Sequence, residues 1–271
     1  MQPAYELLDV GAGGRLERFG DRILDRPAPG ALDPRGDPGA WRSADLWFDR
    51  DRGWSGPAAD LGAWDVEVGA GLTLELRPTD AGQVGLFPEH LAMLPWLARR
   101  RAGAVLSLFA YTGLATLALA REGVSVTHVD ASRPAVTWAR RNAERSGLAD
   151  RPVRWIVDDA PTFVRREVRR GRRYDGLILD PPTYGHGPSG RAWTMDALPA
   201  LLTDCRDLLD PDGDVLLTGH TPGYDADRLA ALLADGLGRR AAAVDAGDLE
   251  LWTADGRSLM LGAFARIAGA P

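Results

Sequence analysis

Residues 105–113, Val-Leu-Ser-Leu-Phe-Ala-Tyr-Thr-Gly, constrain the fold more than any other stretch. Five of the first six are apolar, the pattern of a strand buried on both faces of a parallel sheet. The run breaks at Tyr111-Thr112-Gly113. From Leu114 to Arg121 the spacing turns helical, with Leu117, Ala118 and Ala120 on one side. The stretch therefore reads as strand, tight turn, helix. Glycine at such a turn lets a ligand approach the backbone, and a helix N-terminus offers N–H groups without intrahelical acceptors. Val124–Val129 is a second apolar run and ends in Asp130. A carboxylate at that strand tip is where a nucleoside ribose is held through its hydroxyls.

A chain of 271 residues can hold one large domain, or one domain with an appendage. At 45% hydrophobic and 26% charged it has a soluble globular composition. Net charge is −6, so nothing pulls the whole chain toward nucleic acid, and any RNA contact needs a local basic patch. Every basic residue is Arg, as a GC-rich genome would produce. The one cysteine, Cys205, rules out an intrachain disulfide and suits a reducing cytosol. Met1–Val10 lacks the basic-then-apolar pattern of a signal peptide. Residues 102–120 are uncharged, but Ser107, Tyr111, Thr112, Gly113 and Thr116 interrupt them, so strand–turn–helix fits better than a membrane span.

Residues 7–20 carry a glycine cluster, Gly11-Ala12-Gly13-Gly14, that imitates a nucleotide loop. Pro27, Pro29 and Pro34 follow too soon for a helix, so a hairpin is expected, with Leu16–Leu24 as a strand after the turn. Trp41, Trp47, Trp54 and Trp64 lie in or just beyond a Pro-, Gly- and Asp-rich stretch. They either form a base-stacking surface or anchor an irregular segment, and anchoring is the expectation. Val66–Arg77 alternates like a strand or hairpin arm, and Pro88–Arg101 reads as a helix with Pro88 in its first turn. Ser132 caps a helix running to about Arg145, with Pro134 in its first turn, and Gly147 ends it. Val153–Val157 is a third strand, ending in Asp158-Asp159, and Thr162–Arg170 a helix bearing Arg165, Arg166, Arg169 and Arg170. Tyr174–Leu179 is a fourth strand, Trp193–Leu209 a helix, Asp214–Leu217 a fifth strand and Leu229–Leu237 another helix. Leu249–Trp252 and Ser258–Arg266 close the chain as an antiparallel edge pair. The alternation gives a doubly wound, mostly parallel α/β sheet of Rossmann type behind a small β-rich N-terminal appendage.

Acids end three successive strands: Asp130, Asp158-Asp159 and Asp180. Ligands of open α/β sheets sit at these carboxyl ends. Three acids suit a ligand with ribose hydroxyls, an exocyclic amine and a positive centre, and S-adenosylmethionine has all three. NAD would call for a Gly-x-Gly-x-x-Gly turn, and only Gly113 stands here. Asp180-Pro181-Pro182 is a rigid extended corner whose prolines lack N–H groups, so carbonyls and carboxylate face an incoming amine as acceptors. Catalysis there would be positioning more than acid–base chemistry. Tyr184 can stack on an extruded base, and residues 185–190 read as a lid, with His186 a weak candidate base.

Several motifs also carry a resemblance. Gly82-Gln83-Val84-Gly85-Leu86-Phe87-Pro88-Glu89, Leu108-Phe109-Ala110-Tyr111-Thr112-Gly113, Val129-Asp130-Ala131-Ser132, Asn142-Ala143 and Leu179-Asp180-Pro181-Pro182-Thr183-Tyr184-Gly185 resemble the class I S-adenosylmethionine-dependent methyltransferases related to bacterial 23S ribosomal RNA base methyltransferases. The likeness covers residues 65–225; Tyr5–Pro27 is similar to the opening of an uncharacterised branch. It implies that Phe109, Tyr111, Thr112 and Gly113 line the cofactor, that Asp130 with Ala131 and Ser132 holds its ribose, and that Asp158 or Asp159 meets its adenine amine. It further implies that residues 83–89, including Gln83 and Phe87, close over the methionine end. Cytosine-C5 relatives place a nucleophilic Cys after the fifth strand; here the sequence is Thr218-Gly219-His220-Thr221, and Cys205 is expected in the core. Nitrogen, or oxygen, is thus the favoured acceptor.

The expectations are then specific. Residues 1–85 form the appendage and 86–271 the S-adenosylmethionine-binding domain of a cytoplasmic methyltransferase with no bound metal. Asp180, Pro181, Pro182 and Tyr184 carry catalysis, with Asp180 also bordering the cofactor. Ribosomal RNA is met through Arg165, Arg166, Arg169 and Arg170, with no membrane partner. The alternatives are a small-molecule N- or O-methyltransferase and a non-catalytic RNA-binding factor. The intact Asp-Pro-Pro corner argues against the last.

Overall fold

The computed structural model describes residues 4–60, 62–99, 103–186 and 192–269. The chain divides into two compact units, Met1–Ala92 with Glu250–Leu261, and Met93–Leu249 with Gly262–Pro271. The tip of the terminal hairpin goes with the first unit.

In the first unit β1 (Tyr5–Gly11), β2 (Gly14–Phe19), β3 (Arg22–Pro27), β4 (Leu46–Asp49) and β5 (Gly53–Ser55) form one sheet in that order. The expected strand Leu16–Leu24 is two strands, because the chain reverses at Gly20, whose φ is +63°. β6 (Trp64–Glu67) and β7 (Thr73–Leu76) make a separate hairpin. Leu7, Val10, Ala28 and Ala31 pack with Leu251 and Leu259. Asp9 is the polar hub: its carboxylate accepts from Gly36 N, Asp37 N and Trp41 Nε1 and pairs with Arg257 at 2.6 Å. Those donors outweigh burial and hold its pKa far below the usual carboxylate range. Three of the four tryptophans act as anchors, while Trp47 is exposed. Trp41 binds Asp9, Trp54 donates to Thr79 O and Trp64 to Phe19 O.

Pro88–Met93 is a 3₁₀ segment followed by α1 (Leu94–Leu97), so the long helix expected from Pro88 is replaced by two short pieces. Pro95 within α1 supplies no N–H for continuing it. The second unit is built on β8 (Ala104–Leu108), α2 (Leu114–Arg121), β9 (Ser125–Asp130), α3 (Arg133–Arg145), β10 (Val153–Val157), α4 (Ala160–Arg169) and β11 (Tyr174–Leu179). Next come β12 (Tyr184–His186), β13 (Ala192–Thr194), α5 (Leu198–Arg206), β14 (Leu209–Gly219), α6 (Ala226–Leu237), β15 (Asp245–Trp252) and β16 (Ser258–Ile267). The sheet order is β10-β9-β8-β11-β14-β16-β15, parallel from β10 to β14 and antiparallel at β16. Leu106, Leu108, Leu177, Leu179 and Leu217 are essentially fully buried in its core. Each such side chain contributes about 1.5–3 kcal/mol by leaving water. Cys205 is in this core, and burial pushes its thiol pKa up.

Trp193 begins no helix. Ala192–Thr194 pairs antiparallel with Tyr184–His186, and the helix starts only at Leu198. Of the expected lid, 187–190 lie outside the described residues. No described helix is long and apolar enough to cross a membrane.

His128 is fully buried in β9, with Nδ1 3.0 Å from Thr116 Oγ1 and its ring 4.8 Å from Trp155. Burial, helped by the Arg140 charge, lowers its pKa to about 3. A depressed imidazole pKa contributes stability that is present above about 6.5 and lost as pH falls toward 3. Between pH 7 and 4.5 the chain should lose about 2–3 kcal/mol through this group alone. Urea midpoints at the two pH values check it: His128→Gln should shrink the difference, and an undiminished difference would assign the acid sensitivity elsewhere.

Candidate active site

The strand order reverses between β8 and β11, and at such a switch point an open α/β sheet leaves a crevice. Leu108 pairs with Leu179, and Asp180 N lies 3.4 Å from Leu108 O, so both motifs leave the sheet side by side. Beyond Leu108 the backbone is held in an uncommon conformation. Phe109, Tyr111 and Gly113 have φ of +55°, +46° and +93°. For the two aromatic residues this costs on the order of 1–3 kcal/mol each and persists only if neighbours impose it. They do: Ala110 N donates to Val129 O, Asn142 Nδ2 to Thr112 O at 2.9 Å, and Tyr111 N to Asp130 Oδ2 at 2.8 Å. Phe109 packs on Trp193 with ring centroids 4.8 Å apart. Gly113 caps α2, and a Cβ there would stand 3.1 Å from the Ala139 methyl on α3. The turn is thus clamped between α2, α3 and the end of β9.

Asp130 is half-buried, and its second oxygen accepts from Ser132 N at 2.8 Å. Burial raises its pKa above the ordinary aspartate value; the two N–H groups oppose the rise, and the Asp180 charge adds to it. Ala131 bridges to Ser132, whose Oγ accepts from Ala135 N and caps α3. Asp158 N bonds to Asp130 O, which carries the rim on to β10. Asp158 pairs with Arg166 at 2.7 Å, while Asp159 is buried and caps α4 through Thr162 N.

At the fourth strand, Thr218 Oγ1 donates to Asp180 Oδ1 at 2.6 Å, and His220 Nε2 lies 3.2 Å from the same oxygen. Pro181 is buried and Pro182 exposed. The Pro182 carbonyl, expected to face substrate, accepts from Trp193 Nε1 at 2.9 Å, so the corner is latched to the β12–β13 hairpin. Tyr184 is 73% exposed on that hairpin.

Gln83 and Phe87 belong to the first unit. Gln83 Oε1 accepts from Arg26 Nη1 at 3.2 Å, and Arg26 is in turn paired with the buried Glu17 at 2.7 Å. Phe87 lies 5.9 Å from the His90 ring.

No family model matches this chain. The crystal structure of a SAM-dependent methyltransferase from Agrobacterium tumefaciens is 35% identical, covers 98% of this chain and 91% of its own, and superposes with a TM-score of 0.92. The chain belongs to the S-adenosylmethionine-dependent methyltransferases. SMU.776, solved with SAH, shares the methyltransferase's fold at 16% identity, with a TM-score of 0.74 over 94% of this chain and 72% of its own. Ribosomal RNA large subunit methyltransferase K/L of Pseudomonas paraeruginosa is 36% identical over 124 residues, which are 45% of this chain but 17% of that protein. The methyltransferase therefore spans only part of the length of that curated relative.

The donor set of the second unit fits the family's cofactor. Asp130 is a carboxylate, the acceptor that ribose hydroxyls call for, and the α2 N-terminus lies at the strained turn. Sequence reasoning missed Asn142 as the clamp on Thr112, Trp193 as the latch on Pro182, and Thr218 and His220 as partners of Asp180. Asn142 was visible within the resemblance, but nothing in its spacing assigned it that contact.

Proposed function

We propose that this methyltransferase methylates a nitrogen of a ribosomal RNA base. The observation that carries the reading is the Asp180-Pro181-Pro182 corner: a carboxylate met by Thr218 Oγ1 and His220 Nε2, two residues without N–H groups, and the exposed Tyr184 two residues on. An exocyclic amine donates its N–H to Asp180, which aims the nitrogen lone pair, while the base stacks on Tyr184. Bound S-adenosylmethionine supplies a methyl group on a sulfonium. Asp130 holds its ribose hydroxyls, Asp158 or Asp159 meets its adenine amine, and Phe109, Tyr111, Thr112 and Gly113 line it. Residues 86–271 would form the domain that binds it, 1–85 its appendage, and the cytoplasm its compartment. RNA as substrate draws on the K/L relative's name. Absence of Cys from Thr218-Gly219-His220-Thr221 supports nitrogen over cytosine C5.

A small-molecule acceptor is the second reading, favoured by the net charge of −6 and by the state of the Arg cluster. Arg166 is engaged by Asp158 and Arg170 by Glu167, whereas Arg165 and Arg169 are exposed. If RNA is the substrate, Arg165→Gln with Arg169→Gln should weaken binding and flatten its salt dependence by roughly one unit of slope per lost contact. An unchanged slope would move the reading to small molecules. The direct test offers labelled cofactor with unmodified 23S ribosomal RNA or with a metabolite extract. Label in the RNA, released as an N-methylated base on digestion, is expected; label only in the extract overturns the RNA reading.

A further inference from the structure

Two residues beyond the motifs converge on Asp180 from one strand end. Leu217 pairs with Leu179 in the parallel register of β11 and β14, which sets Thr218 level with Asp180. Thr218 is buried, and its hydroxyl lies 2.6 Å from Asp180 Oδ1 and 3.3 Å from Leu179 O. His220 follows just past the strand, about a quarter exposed, with Nε2 on the same Oδ1 at 3.2 Å. The imidazole has a made seat: a Cβ on Gly262 of β16 would stand 3.0 Å from His220 Nδ1 and would overlap the Gly219 carbonyl. Only glycine at 262 leaves that room.

We infer that His220, assisted by Thr218, is a positioning residue that fixes the carboxylate plane of Asp180 and so the direction in which its outer lone pairs meet the nucleophile. The inference rests on the proposed meeting of Asp180 with substrate. The terminal torsion of an aspartate is broad, so a carboxylate held by a single donor swings about it. Donors from Thr218 and His220 on one oxygen remove that freedom. A reacting group misplaced by about 1 Å can cost 10²-fold in rate, so the loss of one donor is felt in turnover.

The experiment uses the full chain, labelled S-adenosylmethionine and unmodified 23S ribosomal RNA, with circular dichroism to confirm folding. His220→Ala should lower kcat by about 30–100-fold while KM for either substrate stays within about threefold. His220→Gln, whose amide nitrogen reaches the Nε2 position, should recover most of that loss. Combining His220→Ala with Asp180→Asn should be no worse than Asp180→Asn alone. A substrate-free measurement accompanies it: imidazole ¹⁵N shifts should report an Nε2-protonated His220, and Asp180→Asn should change them. The inference is overturned if His220→Ala keeps kcat, if its loss appears only in KM for the cofactor, or if the His220 shifts ignore Asp180→Asn. Wild-type rate in Asp180→Asn would instead identify the reading of Asp180 as the failure. Absence of transfer to RNA by the wild type would identify the substrate reading, with the ¹⁵N shifts still deciding the contact.

Discussion

Asp180→Asn should reduce methyl transfer by orders of magnitude and leave cofactor affinity within a few-fold. Oδ1 of Asp180 accepts from Thr218, and His220 Nε2, the donor inferred above, lies 3.2 Å from it. An asparagine in this place keeps its carbonyl oxygen toward them, because the opposite rotamer would set its NH2 against donors. The NH2 then projects where the nucleophile arrives. It presents hydrogens where an amine needs an acceptor, so the lone pair is turned away from the methyl group. The corner itself survives, since Trp193 holds Pro182 independently. Single-turnover rates and calorimetric affinities measured on the same preparation decide the matter. Wild-type transfer sinks the role assigned to Asp180, and a joint loss of binding and rate makes it a cofactor ligand only.

The second large effect is expected at Asp130. Asp130→Ala should weaken S-adenosylmethionine binding by about 1–3 kcal/mol through the lost charged acceptor alone. The structure adds a further loss, because the carboxylate also ties Tyr111 N and Ser132 N. Without it, Tyr111 N loses the acceptor that helps to hold its left-handed conformation. The variant should therefore melt at lower temperature as well as bind more weakly. Equal affinity for wild type and variant by calorimetry would remove the pocket from this turn.

The sheet was legible because its strands carry short, mostly apolar runs, three of which lead into acids at Asp130, Asp158 and Asp180, and its helices carry side-chain caps at Ser132 and Asp159. Local signals sufficed there. They misled at 88–97, where proline and short-range turns favour a 3₁₀ segment over the apparent helical spacing, and at Trp193. That tryptophan follows helical periodicity, but its indole is claimed by Pro182 eleven residues back and its ring by Phe109. The catalytic corner showed the same division. Asp180 and its prolines announce themselves as a motif. Thr218 and His220 are recognisable only once parallel pairing brings residues 38 and 40 positions apart to one carboxylate, and a lone histidine after a strand carries no periodicity to betray it. The arginines of α4 looked uniform in sequence, while in the fold Asp158 and Glu167 engage two of them.

The ion pair between Asp9 and Arg257 has a consequence in time. A ribosome adding roughly 5–20 residues per second needs on the order of 12–50 s to travel from the codon for Asp9 to that for Arg257. Throughout that interval the nascent first unit holds an anion destined for burial without its guanidinium partner, and Leu7 and Val10 without Leu251 and Leu259. An early segment of the first unit is thus completed by a much later one. The second unit's parallel strands β8 to β14 are all translated before that completion is possible, so maturation should run from the middle of the chain outward rather than from its start.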